Sequence, residues 1–221
     1  MQLIPNRFLF HISHPCRYAS GIPDDEEDLF TLSEEYRIDN FAGMEDAENF
    51  ADVRLAWNEG GLAIEVTVRG KQQPLVGDAG KPRHADGVSL WVDTRDARTS
   101  HRASRYCHQF HLLPTGGGPD HDEPAFVQQK VHRAAQDAPH APAGTVPFRC
   151  RRTATGYRLA AYLPAEALTG FDPEQNPRLG LFYVVRDGEL GEQLLGAAAD
   201  MPYAEDPTLW GVLELVGAGG G

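Results

Sequence analysis

Over most of the chain apolar and polar positions alternate with a period of two. That is the pattern of strands half-buried on a sheet, because successive side chains point to opposite faces. The clearest pair spans residues 50–58 and 62–69: Val53, Leu55 and Trp57 alternate, Glu59-Gly60-Gly61 turns, and Leu62, Ile64, Val66 and Val68 alternate again. Val88, Leu90 and Val92 then alternate with Ser89, Trp91 and Asp93. Residues 107–113 form the expected partner strand, stopped by Pro114 and Gly116-Gly117-Gly118. Residues 148–153 and 156–163 give a further hairpin, and 178–185 a strand with Leu179, Leu181, Tyr183 and Val185 on one face. Residues 209–215 supply the last strand. A short apolar strand is expected at 7–12, and one short element near 126–131 inside the loop-like stretch 115–147. The helical signal is a single turn, with Pro164 at its start and Gly170 at its end.

About nine or ten short strands with Gly/Pro punctuation predict an all-β fold, an antiparallel two-sheet β-sandwich of jelly-roll type with long loop insertions and little helix. No internal repeat or shift in composition divides the chain, so one domain is expected over residues 1–221. Within it, 1–48 would hold the N-terminal strand and an acidic loop, 49–216 the core, and 217–221 a flexible tail.

Composition narrows the choice of partner. A chain of 221 residues can bury a core without disulfides, and 41% hydrophobic with 24% charged residues is ordinary for a globular protein. Lys and Arg number 20 against 32 Asp and Glu, a net charge of −12. Nucleic acid and anionic membranes are poor partners for such a surface, whereas a neutral polar ligand or a cation fits it. No apolar run approaches the roughly 18 residues of a membrane span. The N-terminal residues lack a secretory pattern, so the expectation is cytoplasmic, or extracytoplasmic if the domain belongs to a larger exported protein. Three cysteines without a CxxC pair argue against a disulfide framework or a zinc-ribbon site. The acidic run at 24–28 lacks the alternating ligands and turn glycine of a calcium loop.

The candidate site is the connection 94–106, between the strand that ends at Asp93 and the strand that starts at Cys107. It holds Arg95, Asp96, Arg98, His101, Arg102 and Arg105 and has no apolar period. A loop of that length inside a hairpin is uncommon unless it is used for something. Trp91 falls on the opposite strand face from Val88, Leu90 and Val92, which makes it the leading stacking residue, with core packing as its alternative. Asp93, Arg95, Arg102 and Arg105 offer hydrogen bonds, and Tyr106, His108 and Phe110 border the loop. The same arginines and aspartates could instead form an internal ion-pair network. His101, His108 and His111 are candidate metal ligands, although positions 108 and 111 point to opposite faces of a strand.

The order of several stretches resembles the family 9 carbohydrate-binding module and its DOMON-like sandwich relatives. They are Val53-Arg54-Leu55-Ala56-Trp57, Leu62-Ala63-Ile64-Glu65-Val66, and Asp86-Gly87-Val88-Ser89-Leu90-Trp91-Val92-Asp93. After these come Gly156-Tyr157-Arg158-Leu159, Leu179-Gly180-Leu181-Phe182-Tyr183-Val184-Val185, and Leu209-Trp210-Gly211-Val212-Leu213-Glu214-Leu215. The resemblance covers about residues 49–216. It implies a two-sheet sandwich and a sugar held by aromatic rings, with structural calcium in some members. The function expected from it is non-catalytic binding of a glycan or similar polar ligand. The alternatives are a protein-interaction or scaffold domain, and a glycan-active or metal-dependent hydrolase, for which Glu26, Asp86, Glu166 and Asp187 are the carboxylates at hand. No GxSxG, HExxH, P-loop or dinucleotide fingerprint occurs.

Overall fold

In the computed structural model of the chain, residues 13–24, 28–40, 49–196 and 200–217 are described. Eleven strands run through them: β1 (Ser13–Tyr18), β2 (Ala51–Asn58), β3 (Gly61–Arg69), β4 (Gly87–Asp93), β5 (Cys107–Gly117) and β6 (Glu123–Gln129), then β7 (Phe148–Thr153), β8 (Gly156–Pro164), β9 (Arg178–Asp187), β10 (Gly191–Leu194) and β11 (Gly211–Val216). Helix among the described residues is confined to 3-10 turns at Glu34–Tyr36, Pro82–His84, Ala165–Ala167 and Pro207–Leu209. The expected strand at 7–12, most of the 217–221 tail and part of the acidic run lie outside the described residues.

The strands form one continuous sheet in the order β6-β5-β4-β9-β11-β1-β2-β3-β8-β7, with β10 added beside β9. β1 runs parallel to both β11 and β2, and the other described pairings are antiparallel. The all-β expectation holds; in place of two antiparallel sheets the chain builds a single mixed one. It curls until its edge strands meet at the rings of Phe126 and Phe148, 6.2 Å apart. Prolines, which lack an N–H, stand inside both β1 and β5. Pro15 sits inside β1 opposite Glu214, before β1 reaches β2 at Arg17. Pro114 does not stop β5; the pairing with β6 shifts register between Leu113 and Gly117 around it.

The curl gives the protein its core. Leu90, Phe110 and Tyr183 from the β4–β5–β9 side pack in one cluster with Leu55, Ile64 and Leu159 from the β2–β3–β8 side, all fully buried. Each such side chain stabilises the fold by about 1.5–3 kcal/mol. The opposite face of β2, β3 and β8 is covered as well, where Leu29, Phe30 and Leu32 lie over Ala56, Ala63 and Ala160. At the end of β9, Lys71 closes a buried ion cluster, its ammonium 3.1 Å from Asp86 and 2.9 Å from Asp187. Two of the carboxylates considered for hydrolysis therefore neutralise a lysine away from solvent. The outer face of β4, β5 and β9 is the remaining layer.

Candidate functional site

Successive side chains alternate across β4 and β5, so the residues between the core positions gather on that outer face. Ser89 stands opposite His111, and Trp91 opposite Gln109 and Phe182. Gln109 is in turn opposite Gln129 at the end of β6. Four polar side chains and two large rings thus share one patch. The 200–206 segment lies over the rings: Tyr203 stacks on Phe182 at 4.7 Å and meets Trp91 at 5.7 Å. Trp91 is 2% exposed, and its indole N–H finds no acceptor among the described residues.

A fifth polar group arrives from the loop before β4. Asp86 ties that loop down by accepting the Val76 N–H at 2.9 Å and the Gly188 N–H at 2.7 Å. Gly77 and Gly116 let it press against β5; a Cβ on Gly77 would stand 2.3 Å from the Thr115 carbonyl oxygen. The Pro82–His84 turn is then held by Arg186, which donates to the Arg83 carbonyl oxygen while pairing with Glu192 at 2.6 Å. Arg83 points its guanidinium along the face and donates to Gln109 Oε1 at 3.1 Å.

The chain of contacts continues inward from Gln109. Arg83 is donor-only, so Gln109 turns its oxygen toward it and its amide nitrogen toward His111 Nε2, 3.0 Å away. His111 is neutral: burial first, then the charge of Arg83, pulls its pKa to about 4. Its Nδ1 and Ser89 Oγ share a hydrogen bond at 2.8 Å. Gln129 Oε1 is 3.2 Å from His111 Nε2. Arg83 and Gln129 together wall two adjoining hollows of about 480 and 210 Å³. The larger is completed by residues 130–134 and by Asp137, the smaller by residues 80–82 and His84.

The insertion 94–106 braces this cleft instead of forming it. Arg102 donates from Nε to the Arg133 carbonyl oxygen at 3.0 Å and from its terminal nitrogen to that of Ala134 at 3.1 Å. Asp93, 2% exposed, accepts the N–H groups of Arg95 and Ala97 and turns the chain out of β4. Asp96 pairs with Arg98 at 2.8 Å and Arg178 at 3.1 Å. Of the internal ion-pair network set out as the alternative role of these residues, one pair within the insertion forms, Asp96–Arg98; Asp93 and Arg102 bond backbone groups instead.

Four of the expected contact residues are buried. Trp91 is covered by Tyr203, Asp93 is a buried turn acceptor, and His108 and Phe110 lie on the core face of β5, their rings stacked at 5.9 Å. Burial lowers the His108 pKa to about 4. The metal set does not converge either: His108 and His111 take opposite faces, and the exposed His101 bonds Asp206 at 2.8 Å. No cluster of three His, Cys, Asp or Glu side chains able to hold a metal occurs among the described residues. Tyr106 stays accessible, with the guanidinium carbons of Arg95 and Arg105 at 5.0 and 5.2 Å from its ring centre. The site residues that sequence reasoning missed are Arg83, Gln109, His111 as a hydrogen-bonding group, and Gln129. The alternation that set Trp91 apart from Val88, Leu90 and Val92 also set apart Ser89; extended to β5 it would have found Gln109 and His111.

No protein-family model matches the chain, and no curated protein does. Solved structures do. A family 9 carbohydrate-binding module from Caldicellulosiruptor kristjanssonii in complex with cellotriose superposes with a TM-score of 0.60 at 14% identity, over 95% of this chain and 96% of that one. The module from the same organism in complex with glucose gives a TM-score of 0.60 at 13% identity, over 95% and 98%. The chain has the fold of a family 9 carbohydrate-binding module.

Proposed function

We propose that the protein is a non-catalytic carbohydrate-binding module that holds a sugar in the cleft walled by Arg83 and Gln129. The observation that carries this reading is the relay Arg83–Gln109–His111–Ser89 with Gln129 beside it, which joins the floor of the patch to an open hollow. Each sugar hydroxyl is both donor and acceptor, so a site for it needs fixed groups of both kinds, and each member of this relay is held by its neighbour. Tyr203, half-exposed at the edge of the ring group, offers a face for the apolar C–H side of a pyranose. The sugars bound by the two structural neighbours support the same class of ligand.

Tyr106 with Arg95 and Arg105 supplies a second accessible surface for a longer glycan, and Arg102 positions the cleft wall. Titration against a glycan panel by calorimetry tests the reading, with wild type and Gln129→Ala side by side. Saturable binding by the wild type and its loss in a folded variant are expected. Silence across the panel would overturn the proposal.

A further inference from the structure

The cleft carries a charge that the protein does not balance. Arg83 is half-buried and its guanidinium has no carboxylate partner among the described residues; its hydrogen bond goes to the neutral Gln109. Three nearby cations do have carboxylates. Arg186 is paired with Glu192, Lys130 with Asp137, and Arg133 with Glu205. Lys81, exposed on the rim of the smaller hollow, has no carboxylate within ion-pair distance among the described residues. The chain as a whole carries −12, so an unpaired cation pair at one mouth is not a by-product of a basic surface. Burial disfavours the charged form of Arg83 most; Tyr203 and Glu205 offset part of this through space without a direct bond, and Arg186 adds a smaller unfavourable effect. A desolvated guanidinium without a counter-ion costs stability until an anion arrives, and its planar fork matches a carboxylate through two parallel N–H···O bonds.

Resting on the sugar-site reading above, we infer that the ligand of this cleft is an acidic sugar, a uronate whose carboxylate is taken by Arg83 while its hydroxyls meet Gln129 and the relay behind it. Lys81 adds attraction from the rim. A neutral hexose would fill the same hollow and leave the Arg83 charge unanswered.

Calorimetric titration with glucuronic acid, its methyl ester and glucose separates the possibilities, using wild type, Arg83→Gln and Arg83→Lys with folding checked by circular dichroism. Glucuronate should bind wild type at least about tenfold more tightly than the ester or glucose, the expected worth of a charge-assisted pair. Arg83→Gln should bring acid and ester to within about twofold of each other, and Arg83→Lys should fall between, since it keeps the charge and loses the fork. Glucose or ester binding as tightly as the acid would overturn the inference and leave the sugar site standing. A preference for acid that survives in Arg83→Gln would overturn it too, by placing the carboxylate elsewhere. Absence of binding to all three, and to the wider glycan panel, would remove both readings.

Discussion

The ring of Tyr203 meets the indole of Trp91 edge-on, with centroids 5.7 Å apart and planes at 79°. Trp210 fixes that contact by donating its indole N–H to the Tyr203 carbonyl oxygen at 2.8 Å. One tryptophan thereby holds in place the cover over another. Tyr203→Ala should uncover Trp91, moving the emission maximum to longer wavelength and admitting a soluble quencher. The lost ring contacts should cost about 1–3 kcal/mol in urea unfolding. An unchanged emission spectrum would mean that Trp91 is shielded by something other than this ring.

Two buried histidines set an acid sensitivity. His108 and His111 both hold pKa values near 4 in the folded protein, against an ordinary 6.5. Between those limits the unfolded chain binds more protons than the folded one, so stability falls as pH drops from 6.5 toward 4 and is unaffected by these groups above that window. The slope is at most about 1.4 kcal/mol per pH unit for each histidine. The one polar group that His108 meets is the Thr169 backbone, and neither ring nitrogen makes a well-formed hydrogen bond among the described residues, so His108→Leu should be close to neutral at pH 7.5. Unfolding curves at pH 7.5, 6 and 5 should show a shallower slope in that variant; an identical slope would remove His108 from the account.

Lys71 is 4% exposed between Asp86 and Asp187. Lys71→Met strands two buried carboxylates and should destabilise by about 3–5 kcal/mol, with part of the loss recovered when Asp187→Asn is added. Burial pulls the ammonium down, and its bonds to Asp187 and Asp86 more than reverse this, leaving its pKa above the ordinary 10.5. The stabilisation is therefore complete below pH 10.5 and lost as pH rises through the folded value. Thermal melts at pH 7 and pH 11 check it. A single variant that melts like the wild type at pH 7 would contradict the cluster.

Gly170 stands against the ring of Tyr106, where a Cβ would come within 2.7 Å of a ring carbon, and its φ of +82° is one that side chains rarely adopt. Gly170→Ala should displace Tyr106 from between Arg95 and Arg105 and cost about 1–2 kcal/mol. Chemical shifts of the Tyr106 ring report the displacement directly, and unaltered shifts would show that the ring does not rest on this glycine.

The sequence by itself determined the strands and their faces. The period of two separated Leu90 from Trp91 and Leu181 from Phe182, because pleating leaves a side chain only two directions. Gly60 and Gly61 marked a turn that the backbone makes. Long-range pairing was out of its reach: β1 joins β11 and β2 in parallel, and a parallel neighbour needs no adjoining turn in the chain to announce it. The candidate site divides in the same way. Trp91 lay on the expected face, but whether that face is open depended on Tyr203, which reaches it only when Trp210 and the 3-10 turn at Pro207–Leu209 bring the 200–206 segment over it. Arg83 carried no periodic signal, being in a loop, and acquired its place from Arg186 and Asp86. Local alternation fixes the direction of a side chain. What covers it, and which charge beside it goes unanswered, is decided by residues brought together only when the sheet curls.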